Sequence, residues 1–413
     1  MTHEMPKNGI AWNDLHARMI EMGKADLDWH HGRHSAYVWH ASDEVEEVAR
    51  KAYSQFFSTN GLGKIVFPSI RKMEEEVIAM VLNLLNGDSA AGHMTSGGTE
   101  SIFLAVTAAR SWSRKKKKGV SIPEIITSYS AHPALNKAAY YLGMKVVRIP
   151  MAQDFRSDIS AMKKAINKNT VMLYGSAPAF SMGMIDPIDK LGELALENDL
   201  WLHVDACVGG ILGPFVRRLG YPVPCFDFSI PGVTSISADL HKSGFAAKGA
   251  SAVLFRSVEY QAYSRYDFDD WPSGLYSVLT FTGTHPGGAI AAAWAVMNFL
   301  GEEGYLKMAK SVMQARRAFE NGLAEIEGLH IWGKPDLWAV AYGSRKYDIL
   351  AVCYKMWEKG WMTAPNSHPP GIHFMITPVH EPFIQDYLNA LKDSVSEVAG
   401  NQGPKERAEV RYS

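Results

Sequence analysis

Residues 201–206 read Trp201-Leu202-His203-Val204-Asp205-Ala206, and residues 234–242 read Thr234-Ser235-Ile236-Ser237-Ala238-Asp239-Leu240-His241-Lys242. Each is a short run, too brief for a helix of ordinary length, that ends on charged groups. Such runs predict buried strands over 201–205 and 234–237. In an open α/β sheet, ligands lie beyond the carboxyl ends of the strands. Asp205 and Lys242 are thereby placed at the ends of two successive strands, where both can reach one ligand.

Outward from these two runs the chain alternates. Strands are predicted over 125–127, over 146–149 with Pro150 as a stop, over 171–174 and over 252–255. Ile70, Met73, Val77, Met80, Val81, Leu84 and Leu85 recur at helical spacing, with Gly87 as a stop. Further helices are predicted over 99–118, from Pro133 onward, and from Pro187 to about Glu197. The alternation indicates an α/β domain with a mainly parallel, doubly covered sheet. After Gly287 the pattern turns helix-rich, with helices expected over 289–300 and 312–326 and short strands over 337–341 and 373–376. The expected division is an N-terminal segment (1–60), a large domain (61–290) and a small C-terminal α+β domain (291–413).

The 413 residues, 47% hydrophobic, are enough for such a core, and the net charge of -1 gives no global field for nucleic acid. Cys207, Cys225 and Cys353 are too widely spaced for a zinc site or a disulfide framework. Each is read as a small buried apolar residue in a reducing compartment. The N-terminal residues lack a signal-peptide core, and no apolar run reaches the roughly 18 residues needed to span a bilayer. A soluble cytoplasmic protein is expected, with no nucleic-acid partner and no transmembrane segment. Lys115 to Lys118 suit the negative end of a helix dipole, and the polar tail from Gly400 to Ser413 reads as loosely ordered.

The chemistry gathers at strand ends and helix starts. Thr95-Ser96-Gly97-Gly98-Thr99-Glu100-Ser101 opens a helix. Its glycines permit close backbone approach, its free N–H groups and dipole favour a phosphate, and Thr99 adds a hydroxyl. His132, in Ser130-Ala131-His132-Pro133, follows a strand and can stack on a flat ring. Lys242 is read as a lysine desolvated beside other cations, which loses its proton more easily and attacks aldehydes. Singly, each has a plain structural reading. Together they match pyridoxal-5′-phosphate (PLP): a helix N-terminus for its phosphate, an imidazole for its ring, a carboxylate for its pyridine nitrogen and a lysine for its aldehyde.

The sequence resembles the sphingosine-1-phosphate lyases, within the group II PLP decarboxylases of fold type I. The resemblance runs from about Tyr37 to Ile376. It is carried by Phe67-Pro68, Thr95 to Ser101, Ser130-Ala131-His132, Asn136 to Ala139, Gly183 to Pro187, His203 to Cys207, Gly232 to Asp239, His241-Lys242, Lys248-Gly249 and Pro286-Gly287-Gly288. It implies that Lys242 holds the cofactor as a Schiff base, Asp205 pairs with the pyridine nitrogen and His132 stacks on the ring. Gly97, Gly98 and Thr99 would hold the phosphate, with Ser176, Asp239 and His241 lining the pocket. Tyr37, Lys248, Thr284 and His285 would meet the substrate. Obligate homodimers are implied, each site completed by the neighbour. The implied reaction is a retro-aldol cleavage of a phosphorylated long-chain base to an aldehyde and phosphoethanolamine, with Lys242 as proton carrier.

The sequence departs from that family at the substrate phosphate. Ser243 stands where a tyrosine usually follows the lysine. Asn60-Gly61-Leu62-Gly63-Lys64 replaces an Asn-Pro-Leu-His run, with Lys64 a candidate replacement charge, and His285 replaces an arginine. Either phosphate recognition is rebuilt, or the substrate is another β-hydroxy amine or an amino acid. The alternatives are an amino-acid decarboxylase on the same fold and a non-catalytic PLP-binding protein. His30-His31-Gly32-Arg33-His34 fits no metal-ligand spacing, and no metal is expected.

Overall fold

The computed structural model describes residues 4–63, 65–400 and 408–411. Lys64 and most of the tail beyond Gly400 lie outside them. Two helices lead the chain, α1 (Trp12–Gly23) and α2 (Asp43–Gln55), followed by α3 (Pro68–Leu84), whose Pro68 sits in the first turn where its missing N–H does no harm. Then come β1 (Ala91–Thr95), α4 (Gly98–Lys116), β2 (Glu124–Ser128), α5 (Ala134–Leu142), β3 (Lys145–Ile149), α6 (Ile159–Ala165), β4 (Thr170–Ser176), α7 (Ile188–Glu197), β5 (Trp201–Asp205), α8 (Gly213–Arg218), β6 (Ser235–Ala238) and β7 (Ser251–Phe255).

These strands form one seven-stranded sheet in the order β1-β7-β6-β5-β4-β2-β3. β7 runs antiparallel to both its neighbours and the other pairs are parallel. β2, β4, β5, β6 and β7 are buried throughout, as a sheet covered on both faces requires. Strand β1 was not legible in the sequence. Ala-Gly-His-Met-Thr shows no alternation and only one β-branched residue, Thr95. Gly92 is there because a Cβ would come within 2.5 Å of Leu254 and 2.9 Å of the Val253 carbonyl.

A short helix α9 (Val258–Gln261) and an exposed hairpin, β8 (Tyr266–Phe268) with β9 (Tyr276–Val278), lead to α10 (Gly287–Ala324). Two separate helices, the second beginning near 312, were expected. The helix instead resumes directly after a kink at Gly301 (φ 55°, ψ -170°). Tyr305, Ala309, Val312, Ala315, Phe319 and Leu323 continue the buried stripe, so the charges of Glu302, Glu303 and Lys307 lie on the outer face of a helix rather than in a loop. Early in α10, Trp294 bonds Glu76 of α3. Late in it, Phe319 packs on Tyr342, Phe374 and Tyr387. The last three belong to the remaining unit: β10 (Leu329–Ile331), β11 (Ala339–Ser344), α11 (Ile349–Glu358), β12 (Ala364–Ser367), β13 (Pro370–Met375) and α12 (Ile384–Ala399), with a four-stranded antiparallel sheet β10-β11-β13-β12. Residue 290 therefore lies inside the helix that joins the two sheets. Among the described residues no helix is long and apolar enough to cross a membrane.

One smaller expectation changes. Cys225 is exposed, while Cys207 and Cys353 are buried. The 30–34 histidines do not converge. His31 bonds Asp28, whereas His34 is buried against His380, whose Nε2 donates to the His34 carbonyl at 2.8 Å. No group of three or more metal-ligating side chains occurs among the described residues.

Candidate active site

β1 ends at Thr95 and the chain turns through Ser96-Gly97 into α4. β2 leads to His132, β4 ends at Ser176, β5 ends at Asp205, and β6 leads through Asp239 to Lys242. These ends meet at one edge of the sheet. Gly97, Gly98, Thr99, His132, Ser176, Asp205, Asp239, His241 and Lys242 all line a single pocket of about 330 Å³. Gly98 is dictated by space: a Cβ there would stand 2.7 Å from Cys207 Sγ and 2.8 Å from Asp239 Oδ2. The first-turn N–H groups of α4 face the pocket without intrahelical acceptors.

Asp205 is held from three sides. Tyr174 donates to Oδ2 at 2.6 Å, and the Cys207 N–H to Oδ1 at 3.1 Å, with Ser237 Oγ 3.4 Å from Oδ1. Burial alone would raise its pKa, but His132, the Tyr174 bond and Lys242 together hold it below the ordinary carboxylate value. An acidic Asp205 is the partner a protonated pyridine nitrogen needs.

Lys242 Nζ lies 2.9 Å from Asp239 Oδ2. Here the sequence reading needs correcting. Burial does favour the neutral amine, but the surroundings are anionic rather than cationic. Asp239, at 2.9 Å, and Asp205 raise the Lys242 pKa above its ordinary value. Asp239 Oδ1 is buried without a hydrogen-bond partner, so this carboxylate is only half satisfied. His241 is pushed down to about 4 by burial, with Lys248 and Lys242 adding to the effect, and is neutral near pH 7. His132 is lowered for the same first reason.

The substrate residues are more scattered. Tyr37, at φ 77°, lines a second chamber of about 740 Å³ that shares His132 and Phe180 with the cofactor pocket. Lys248 Nζ bonds the His241 carbonyl at 3.2 Å and borders a separate depression beside Trp39 and His40. Its side chain still reaches solvent, yet partial desolvation and then repulsion from Lys242 bring it down to about 8. Thr284 is exposed, and His285 packs against the 60–61 turn, where the Gly61 N–H donates to the His285 carbonyl. A Cβ on Gly61 would lie 2.0 Å from His285 Nε2. Two departures from the family pattern are thus one packing unit: His285 fits because residue 61 is glycine. Ser243 is fully buried and bonds the Val208 carbonyl, turned away from the pocket.

Three contributors were missed from sequence. Tyr174 sits inside a strand run and reads as core. Cys207 reads as a small apolar residue. Glu100 accepts from the N–H groups of Ser96 and Phe281, tying the glycine turn to the loop before α10. Its signal was its place in the first turn of a helix that follows two glycines.

The pocket answers each demand of PLP. A glycine cradle opens a 19-residue helix, a carboxylate is kept ionised, an imidazole lies opposite, and a lysine adjoins a half-satisfied carboxylate. The comparisons agree. Residues 25–345 match the pyridoxal-dependent decarboxylase conserved domain. The fold and this match define a PLP-dependent enzyme. A sphingosine-1-phosphate lyase of Oryza sativa subsp. japonica is 43% identical over 97% of this chain and 76% of its own length. A solved sphingosine-1-phosphate lyase of Burkholderia pseudomallei superposes with a TM-score of 0.93 at 35% identity, covering 97% of this chain and 94% of that one. A glutamate decarboxylase of Lactobacillus brevis shares the fold, with a TM-score of 0.84 at 17% identity. Within its class, the chain belongs to the sphingosine-1-phosphate lyase family.

Proposed function

We propose that the protein cleaves a phosphorylated long-chain sphingoid base by retro-aldol chemistry, releasing a fatty aldehyde and phosphoethanolamine. PLP, when bound, supplies the electron sink. The observation that carries the reading is the convergence of Lys242, Asp205, His132 and the Gly97-Gly98 turn on one pocket that opens into a larger chamber. In this reading Gly97, Gly98 and Thr99 hold the cofactor phosphate, His132 covers the ring, and Asp205 keeps the pyridine nitrogen protonated. Ser176, Asp239 and His241 complete the wall. Lys242 carries the cofactor and then moves a proton on its Nζ, with Asp239 there to receive or return it. The larger chamber, with Tyr37 on its wall, offers room for the alkyl chain, and Lys248, close enough to Lys242 to feel its charge, is a cation for a substrate phosphate.

A homodimer belongs to the same reading. Phe57, Ile65, Val66, Leu275 and Phe281 are each at least 68% exposed and lie on the loops around residues 57–66 and 275–281, beside Thr284 and His285. Helix α1 buries none of its residues in this chain. Apolar surface of that extent needs a partner, and a second copy would bring Thr284 and His285 to its neighbour's pocket. A reducing, cytoplasmic setting suits the three free cysteines.

The test is product analysis with a phosphorylated long-chain base and, separately, a set of amino acids. Aldehyde from the former is expected. Carbon dioxide from an amino acid without any aldehyde would replace this reading with decarboxylation.

A further inference from the structure

One face of the strand pair β5–β6 carries polar side chains through the middle of the sheet. Trp201, His203 and Asp205 alternate along β5, and the register sets His203 opposite Ser235 and Asp205 opposite Ser237. All five are buried. In a sheet interior an apolar residue at each position would cost less to bury, so five linked polar groups need a reason.

The donor inventory gives the linkage a direction. An indole N–H only donates, and Trp201 Nε1 lies 2.8 Å from Ser235 Oγ. Ser235 accepts from Trp201, and its own hydrogen is free to go to His203 Nδ1, at 2.9 Å. An Nδ1 that accepts carries no proton. Burial keeps this imidazole neutral, with its pKa brought down to about 4, so its single hydrogen sits on Nε2. That nitrogen faces Ser237 Oγ at 3.3 Å and donates to it. Cys207 Sγ donates to the same hydroxyl, also at 3.3 Å. With both lone pairs engaged, the Ser237 hydrogen is left for Asp205 Oδ1, at 3.4 Å. With the Ser235 hydrogen on Nδ1, every bond up to the carboxylate runs in one sense.

We propose that His203 is a positioning residue for the cofactor: it relays a one-way hydrogen-bond chain, Trp201→Ser235→His203→Ser237→Asp205, that presents Asp205 as an acceptor to the pyridinium. The proposal rests on the PLP reading of the pocket. His203 touches neither cofactor nor substrate and acts only through Ser237.

Two readouts test it without relying on turnover. In the holoenzyme labelled with 15N-histidine, with His203→Gln as the assignment control, His203 is expected to carry its proton on Nε2. A proton on Nδ1 reverses the chain and overturns the proposal. Titrating apoprotein with PLP, Ser237→Ala and His203→Leu are each expected to raise the dissociation constant about tenfold, the loss of one bond to a charged acceptor. His203→Gln, which keeps a donor toward Ser237, is expected to stay near wild type. Wild-type affinity in a folded Ser237→Ala protein overturns the proposal even if His203→Leu does not fold. Failure of the wild-type chain to take up PLP would overturn the cofactor reading, and the relay's purpose with it.

Discussion

The cofactor pocket and the region around Gly61, Lys248 and His285 are built differently. In the pocket, side chains project from the ends of buried strands, and Asp205 and Asp239 are at most 8% exposed. Their partners fix both position and ionisation. In the second region the residues sit on exposed loops: Thr284 is open, His285 leans on a glycine turn, and Lys248 still reaches solvent. The first region matches the family pattern in the sequence, whereas the second keeps Lys248 but departs from the pattern at Gly61 and His285. A carboxylate that must stay ionised under a cofactor tolerates little, because each buried neighbour alters its charge. A phosphate approached from solvent can be met by any cation within reach.

The widest gap between the regions should appear at Lys242. Lys242→Ala is expected to lower aldehyde release on the order of 10³-fold or more; a loss under tenfold would remove it from the chemistry. Asp205→Ala should come next. It takes away a charged partner worth about 1.5–3 kcal/mol, read as a tenfold or greater fall in both PLP affinity and turnover. Unchanged affinity would shift the pyridine partner elsewhere.

Lys248 probes the other region through pH. Because its pKa is lowered to about 8, it is a cation below that pH and loses its charge as pH rises through it. KM for a phosphorylated base should therefore climb roughly tenfold above pH 8, while the dephosphorylated base shows no such step. Lys248→Met should flatten the profile; a step that survives this substitution assigns the titration to another group. The smallest effect is expected from Gly61→Ala, whose Cβ would displace His285. A change of about two- to fivefold in the preference for phosphorylated over dephosphorylated base is expected, with PLP affinity untouched. A loss of PLP affinity would mean that the two regions are not separable.

The pocket was legible because strand ends and a glycine turn leave marks in sequence. Asp205, Lys242, His132 and Gly98 each stand at a change of pattern. What stood inside a pattern was hidden. Tyr174 and His203 look like members of buried strands, and only the register reveals that they feed Asp205. β1 was hidden because close packing at Gly92 replaced the usual β-branched signal. The charge state of Lys242 was misread because the sequence places a lysine near a phosphate site but does not show that Asp239 turns inward beside it. The helix across 301–324 was split in the reading because charges on its outer face resemble a loop.

The most direct test of the account is to reduce the PLP-loaded enzyme with borohydride, digest it and locate the pyridoxyl label by mass spectrometry. Of the neighbouring lysines Lys242 and Lys248, Lys242 lines the pocket and contacts Asp239, whereas Lys248 borders a separate depression. The account predicts the label on Lys242 alone, and its loss in Lys242→Ala. Label on Lys248, or none on either, would contradict it.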